Sequence, residues 1–221
     1  MRIASEGALI GSLLARGFPT EMGIVSDDAG QFNVFCHALC WIHAERNVNK
    51  LVPLNDTQSK QIAWVRHQIW DLYADLKAYK TDTELQTPIF REEIRERFRE
   101  VFRTRTSYEE LNGQLERMLA NETELLRVLD DPRLPLHNNL SESDIREYVK
   151  KRKISGSTRS DEGRRCRDTF TSLKKTCRKL GISFWKYLRD RVSRSNRIPP
   201  LGEVIRTVSQ EKPKAEARGP P

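Results

Sequence analysis

The sequence predicts an α/β chain that is mostly α, with a short α/β portion first and helices after it. Three observations lead there. Short apolar runs alternate with helical spacings before residue 45, and from Glu45-Arg46 to about Asp131 every periodic stretch is helical, with no strand signal. Apolar residues at 37% of a 221-residue chain are enough to bury a sizeable core. The shifts in character divide the chain into segments 1–45, 46–136, 137–195 and 196–221.

In the first segment, Leu9/Ile10 and Leu13/Leu14 recur at helical spacing between Ser5 and Ala15, and Gly17 is a natural stop. A strand from Met22 to Ser26 then delivers Asp27 and Asp28 into a turn. A helical turn is expected at Gln31 to Phe35 and a second buried strand at Ala38-Leu39-Cys40-Trp41-Ile42. Two short strands do not make a stable sheet alone, so either further strands belong with them or the assignment fails.

The second segment reads as a helical block. Asn55-Asp56 opens a helix whose Ile62, Val65, Ile69, Leu72 and Leu76 step by three and four, with Trp64, Trp70 and Tyr73 widening the stripe. Thr87-Pro88 is an N-cap followed by proline at the first helical position, and Ile94, Phe98, Val101 and Phe102 form the buried side of that helix. Ser107-Tyr108-Glu109-Glu110 reads as a capping box opening a third helix, with Leu111, Leu115, Met118 and Leu119 on one side. Asn121-Glu122-Thr123-Glu124 repeats the box for a short fourth, with Leu125, Leu126 and Leu129, ended by Pro132.

Next, a proline-bounded loop, Pro135 to Asn138, enters a helix that runs to about Lys150, with Asn139 as its cap and Glu142 in its first turn. Glu142 can equally close a capping box with Asn139 or pair with Arg146 one turn on. A Ser/Thr/Gly loop from Ser155 leads to a basic helix with the stripe Cys166, Phe170, Leu173, Cys177 and Leu180, stopped by Gly181. Phe184, Trp185, Leu188 and Val192 mark the last ordered helix. A short appendage and a loose tail complete the chain.

Charge is unevenly placed. The total is +8, yet residues 143–194 hold 17 Lys/Arg against 6 Asp/Glu while the remainder holds 22 against 25. One end thus carries a positive field, which suits a polyanion; a solvated helical surface is the ordinary alternative. Four cysteines without a convincing secretory signal favour free thiols in a reducing compartment, and no apolar run approaches bilayer length, so a cytoplasmic protein is expected, nucleoid-associated when bound to DNA, with no membrane partner.

Cys36, His37, Cys40 and His43 invite a zinc reading, but on a strand Cys40 and Ile42 would face away from Trp41 and His43. Cys166 and Cys177 read as small core residues. No phosphate-cradling or serine-elbow motif is present. What remains is an Asp at a strand end, a later Glu in a helix's first turn beside His137 and Asn138, and an adjoining basic region. Carboxylates from separate elements can converge on Mg²⁺, which takes one or two protein oxygens and leaves places for water and phosphate. Such ions activate an attacking hydroxyl and stabilise a leaving oxygen, while Lys/Arg hold the nucleic-acid backbone.

Asp27-Asp28-Ala29-Gly30-Gln31-Phe32, Leu39-Cys40-Trp41-Ile42-His43-Ala44-Glu45-Arg46, the helical insertion, and His137-Asn138-Asn139-Leu140-Ser141-Glu142 with Arg146 stand in an order that resembles the second half of a bacterial insertion-sequence transposase of the DDE type. Lys153 through Gly163, Thr169 to Leu173 and Trp185-Lys186-Tyr187-Leu188 resemble the end of that catalytic region. The resemblance, from about Glu6 to Arg191, implies an incomplete ribonuclease-H-like domain with its last strands only, interrupted by an all-helical insertion. It implies metal-dependent cleavage and strand transfer of transposon-end DNA with Mg²⁺ or Mn²⁺. By motif position Asp27 is the second acidic ligand and Glu142 the third. Arg146, Lys150, Lys151, Lys153, Arg159, Arg164, Arg165, Lys174 and Lys175 are the DNA-binding candidates, and Asp28, His137 and Asn138 adjoin the site. The family's first Asp lies on a strand ahead of the first helix, and no residue here matches it; Asp28 is too close to Asp27 to substitute. A transposase fragment inactive alone is therefore expected, partnered by a missing N-terminal half or by full-length transposase. A DNA-binding regulator that inhibits the full-length enzyme is the alternative.

Overall fold

The computed structural model describes residues 11–12, 14–15, 17, 23–28, 35–156 and 158–210. The chain divides into two compact units, Met1–Asn138 and Asn139–Pro221. In the first, Gly11, Ser12, Leu14 and Ala15 are helical, and Gly17 closes the turn at φ +75 with its N–H on the Leu14 carbonyl. The other residues of the helix expected between Ser5 and Ala15, and the turn at 31–34, lie outside the described residues.

Strands β1 (Gly23–Ser26) and β2 (Cys36–Leu39) pair in parallel, with Gly23 opposite Cys36 and Ser26 opposite Leu39. The second strand is displaced from expectation. It begins at Cys36, and Cys40 is already the N-cap of helix α1 (Trp41–Asn49). An apolar run five residues long cannot distinguish a strand from the first turn of a buried helix, and here it straddles both. The face alternation expected for Cys40 to His43 therefore does not apply.

Helices α2 (Asp56–Thr81), α3 (Pro88–Phe102), α4 (Glu109–Ala120) and α5 (Glu122–Leu125) follow. The Asn55 side chain accepts from the Gln58 N–H at 2.9 Å and Thr87 from the Phe90 N–H at 3.2 Å, so both caps form as the sequence indicates. The box at Ser107 does not. Tyr108 is the N-cap without a side-chain bond, Ser107 Oγ turns to Gln61 at 3.2 Å, and Asn112 fastens the loop through Thr106 instead. The second box is likewise absent, because the Asn121 amide reaches Asp28 rather than its own helix. Nor does α5 run on to Pro132; a 3₁₀ turn at Arg127–Leu129 replaces it.

One core joins these elements. Ile62, Val65, Ile69, Leu72, Leu76 and Tyr79 of α2 meet Ile94, Phe98, Val101 and Phe102 of α3, and Leu39 of β2, Trp41 and Val48 of α1, Leu111 and Leu115 of α4, Leu125 of α5 and Leu129 belong to the same cluster. Trp64 and Trp70 lie outside it, 43% and 37% exposed, since neither falls on the three-and-four seam.

The second unit holds α6 (Asn139–Ile154), α7 (Asp161–Lys179), α8 (Phe184–Val192) and α9 (Leu201–Gln210). Its apolar cluster is small: Cys177, Tyr187 and Leu201, with Leu173, Leu180, Ile182, Phe184 and Ile198 against it. Cys166 is exposed rather than buried, because the cluster covers only the carboxyl end of α7. Helix α9 also makes α8 not the last helix; Leu201 gives it an apolar anchor just beyond Pro199-Pro200.

Trp41 is buried in this core, with its indole N–H on the Leu125 carbonyl and its ring against Phe98, so Trp41→Ala is expected to cost about 3–5 kcal/mol. Urea unfolding followed by near-ultraviolet circular dichroism measures it, and a loss below about 1 kcal/mol would contradict this packing.

Candidate metal and DNA-binding site

In a parallel sheet the carboxyl ends of the strands lie on one edge, and functional side chains gather there. Asp27 and Asp28 follow β1 at that edge, and Cys40 follows β2, its N–H bonded to the Ser26 carbonyl at 2.9 Å. The two carboxylates have different surroundings. Asp28 receives the Arg117 guanidinium and, at 3.2 Å, the Asn121 amide, both from the helical block. Asp27 is exposed, with no ion pair or side-chain hydrogen bond among the described residues.

A relay under the turn holds its backbone. Ser26 Oγ donates to the Asp27 carbonyl at 2.6 Å and lies 2.8 Å from His37 Nε2. Since the hydroxyl has one proton, Nε2 is the protonated ring nitrogen and donates to Ser26. Burial holds the His37 imidazole below its ordinary 6.5, against the upward pull of Glu124 and Asp28. His37 thus stays neutral near pH 7, and its carbonyl accepts from Arg127 Nε at 3.2 Å. The sequence marks His37 as a candidate zinc ligand or as half of a Cys/His nucleophile pair rather than as a support for the turn, and nothing local marks Arg117, Asn121 or Arg127, which reach Asp28 and His37 across some 90 residues of chain.

Glu142 sits in the first turn of α6, 25% exposed at its side chain, with Arg146 at 3.6 Å one turn on. The i,i+4 pair weighed as its ordinary role is therefore present, though at that separation it is a weak one. Nδ1 of His137 and Oδ1 of Asn138 are shielded and take no hydrogen bond among the described residues. The same residues contain no group of three or more His, Cys, Asp or Glu able to hold a metal ion. Hard oxygen donors nonetheless suit Mg²⁺ or Mn²⁺, and Mg²⁺ needs only one or two of them from protein.

The basic candidates divide by partner. Lys175 is committed to Glu147 and, at 3.2 Å, to Asp144; Lys179 also meets Asp144, at 2.6 Å. Lys151 lies 3.8 Å from Glu147 and Arg164 3.0 Å from Asp161. Lys150, Lys153, Arg159, Arg165 and Lys174 are exposed and have no ion pair among the described residues. Helix α6 buries no residue, so charges hold it to α7, helped by Tyr148, whose hydroxyl donates to Asp168 at 2.6 Å and accepts from Arg167 at 2.9 Å.

These contacts set an acid limit. Hydrogen bonds from Lys179 and then Lys175 hold the Asp144 carboxyl below its ordinary 3.8, and Lys175 holds Glu147 below 4.5. A carboxyl with a lowered folded pKa contributes stability above its unfolded value and loses it as pH falls through the folded one. Amide exchange over residues 139–154 should therefore accelerate, relative to an unstructured peptide, below about pH 4 and remain flat from there to pH 7. Lys175→Gln should remove much of that acid dependence; an unchanged profile would refute the charge clamp.

A family model described as transposase IS66 family matches residues 17–166. An uncharacterized protein, y4jO, of Sinorhizobium fredii (strain NBRC 101917 / NGR234) is 45% identical over 206 residues, which are 93% of this chain and 63% of the relative. The chain thus spans less than two thirds of that relative's length. No solved structure matches. With the family model matching well over half of its residues, the chain belongs to the IS66 family of DDE-type insertion-sequence transposases.

Proposed function

We propose that this chain binds transposon-end DNA and contributes two acidic ligands, Asp27 and Glu142, to metal-dependent cleavage and transfer of DNA strands. The observation that supports it most is the placement of Asp27: one residue past a parallel strand, its backbone pinned by Ser26 and His37, its carboxylate without an ion pair among the described residues. A carboxylate placed there only to close a turn has no need of a buried relay beneath it. In this reading β1 and β2 belong to a ribonuclease-H-like domain, and helices α2 to α5 are the insertion within it.

The roles divide among the residues. Asp27 and Glu142 would hold Mg²⁺ or Mn²⁺, which when bound polarises the phosphodiester and lowers the pKa of an attacking water or hydroxyl. Asp28 is bound to Arg117 and Asn121 and orients the turn rather than the ion. Lys150, Lys151, Lys153, Arg159, Arg164, Arg165 and Lys174 hold DNA phosphates, and Arg146 divides its charge between phosphate and Glu142. Lys175, satisfied by Glu147 and Asp144, keeps α6 against α7. We further propose that these 221 residues do not cleave DNA unaided and need a third carboxylate supplied from elsewhere.

Duplex binding should fall steeply with salt, each lost phosphate contact lowering the log–log slope by about 0.9. The triple change of Lys150, Lys151 and Lys153 to Ala is expected to reduce that slope by about 2–3. Asp27→Asn and Glu142→Gln should weaken Mn²⁺ binding, read by electron paramagnetic resonance, while metal-free DNA affinity stays within about twofold. Unaltered Mn²⁺ affinity in both variants would sink the ligand assignment. Efficient nicking by the wild-type chain with Mg²⁺ would refute its dependence on a further carboxylate.

A further inference from the structure

Within the second unit, three aromatic rings form a row. Phe170 of α7 meets Phe184 edge-on at 6.4 Å between centroids, and Phe184 meets Trp185 of α8 at 5.5 Å. Phe184 anchors the row against the apolar cluster, whereas Phe170 is 43% and Trp185 74% exposed. Trp185 continues into a shallow groove shared with Leu188 and Val192 and bordered by Lys186 and Arg189. The single acidic residue of α8, Asp190, is buried and turned away to Ser195, to the Arg197 N–H and to Arg191. The surface is thus aromatic and cationic, with no α8 carboxylate on it.

We propose that this row is a binding site for single-stranded DNA, with unpaired bases stacking on Trp185 and Phe170 and their phosphates held by Lys186, Arg189 and, one turn beyond Phe170, Lys174. The inference rests on the DNA-binding reading above and adds the form of DNA recognised. Charge and extent select the occupant. A polyanion with apolar rings matches an aromatic row edged by cations, and base-on-aromatic stacking tolerates any sequence. A second copy of this chain would bring the same positive charge to the contact. A specific protein partner would need roughly 20–30 residues a side, and the groove offers a handful. Duplex DNA keeps its base faces stacked inside and cannot use the rings.

The test measures fluorescence anisotropy of the full chain with a roughly 20-nucleotide oligothymidine and with a duplex of equal length. Trp185→Ala is expected to weaken single-strand binding about tenfold or more and to move duplex binding by less than about twofold. Trp185→Tyr, which keeps an aromatic face, should restore most of the loss, and Trp185→Leu, which keeps only the apolar bulk, should not. Equal losses on both DNAs, or full rescue by Leu, would overturn the stacking site. Wild-type binding to duplex but not to single strands would overturn it while leaving the DNA reading intact; binding to neither would overturn both. Self-association abolished by Trp185→Ala, with single-strand affinity unchanged, would assign the groove to a second copy and likewise overturn the proposal. Unchanged thermal melting of the variants, expected for so exposed a residue, separates these outcomes from misfolding.

Discussion

Trp41 ties together parts of the first unit that the chain keeps far apart. Its backbone N–H bonds the Leu136 carbonyl at 3.0 Å, its indole donates to the Leu125 carbonyl at 2.8 Å, and its ring meets Phe98 edge-on at 6.2 Å. The side chain is 1% exposed. One residue thereby joins the end of the parallel pair to α3, to α5 and to the segment leading toward Glu142. A two-stranded sheet is marginal by itself, and this packing, with the buried Glu45 carboxylate on Arg66 at 2.7 Å, allows the short pair to persist. The Leu39 to Arg46 motif therefore builds the fold, and the chemistry proposed for the strand edge depends on it indirectly.

The two units are stabilised differently, and the difference bears on function. The first has a continuous apolar core contributed by helices α1 to α5 and strand β2. In the second, α6 buries nothing, and Asp144, Glu147 and Tyr148 reach across to α7 through charged and polar contacts. Such contacts are screened by salt and weakened by acid, whereas a packed core is not. Asp144 and Glu147 are engaged by Lys175 and Lys179 of α7, and Lys150 and Lys153 of α6 stay exposed without an ion pair among the described residues. The +11 balance of residues 143–194 gives this unit a positive surface potential, on which the proposed DNA binding rests.

Much of the first unit was legible from local pattern. The seam of α2, the stripe of α3, and the caps at Asn55 and Thr87 rest on spacing and on side chains that bond within three residues, so short-range reasoning reaches them. The strand-to-helix switch at Cys40 was not legible, because the apolar run through Trp41 is continuous and its meaning depends on Leu125, Leu136 and Phe98. Ser107 and Asn121 carry cap-like sequences but bond elsewhere, to Gln61 and Asp28, for the same reason. At the site, the strand-end position of Asp27 and the first-turn position of Glu142 followed from the residues. The relay through Ser26 and His37 and the latch from Arg117 did not, since they join elements distant in sequence.

Asp27 and Glu142 are proposed to serve the same metal-dependent DNA chemistry. Titrating Mn²⁺ into the isotopically labelled chain bound to transposon-end DNA, and following paramagnetic broadening of amide signals, addresses it residue by residue. Selective broadening is expected around both Asp27 and Glu142 at the lowest metal concentrations, ahead of any other acidic residue. Broadening that spares either position, or that first appears at Asp144 and Glu147, would contradict it.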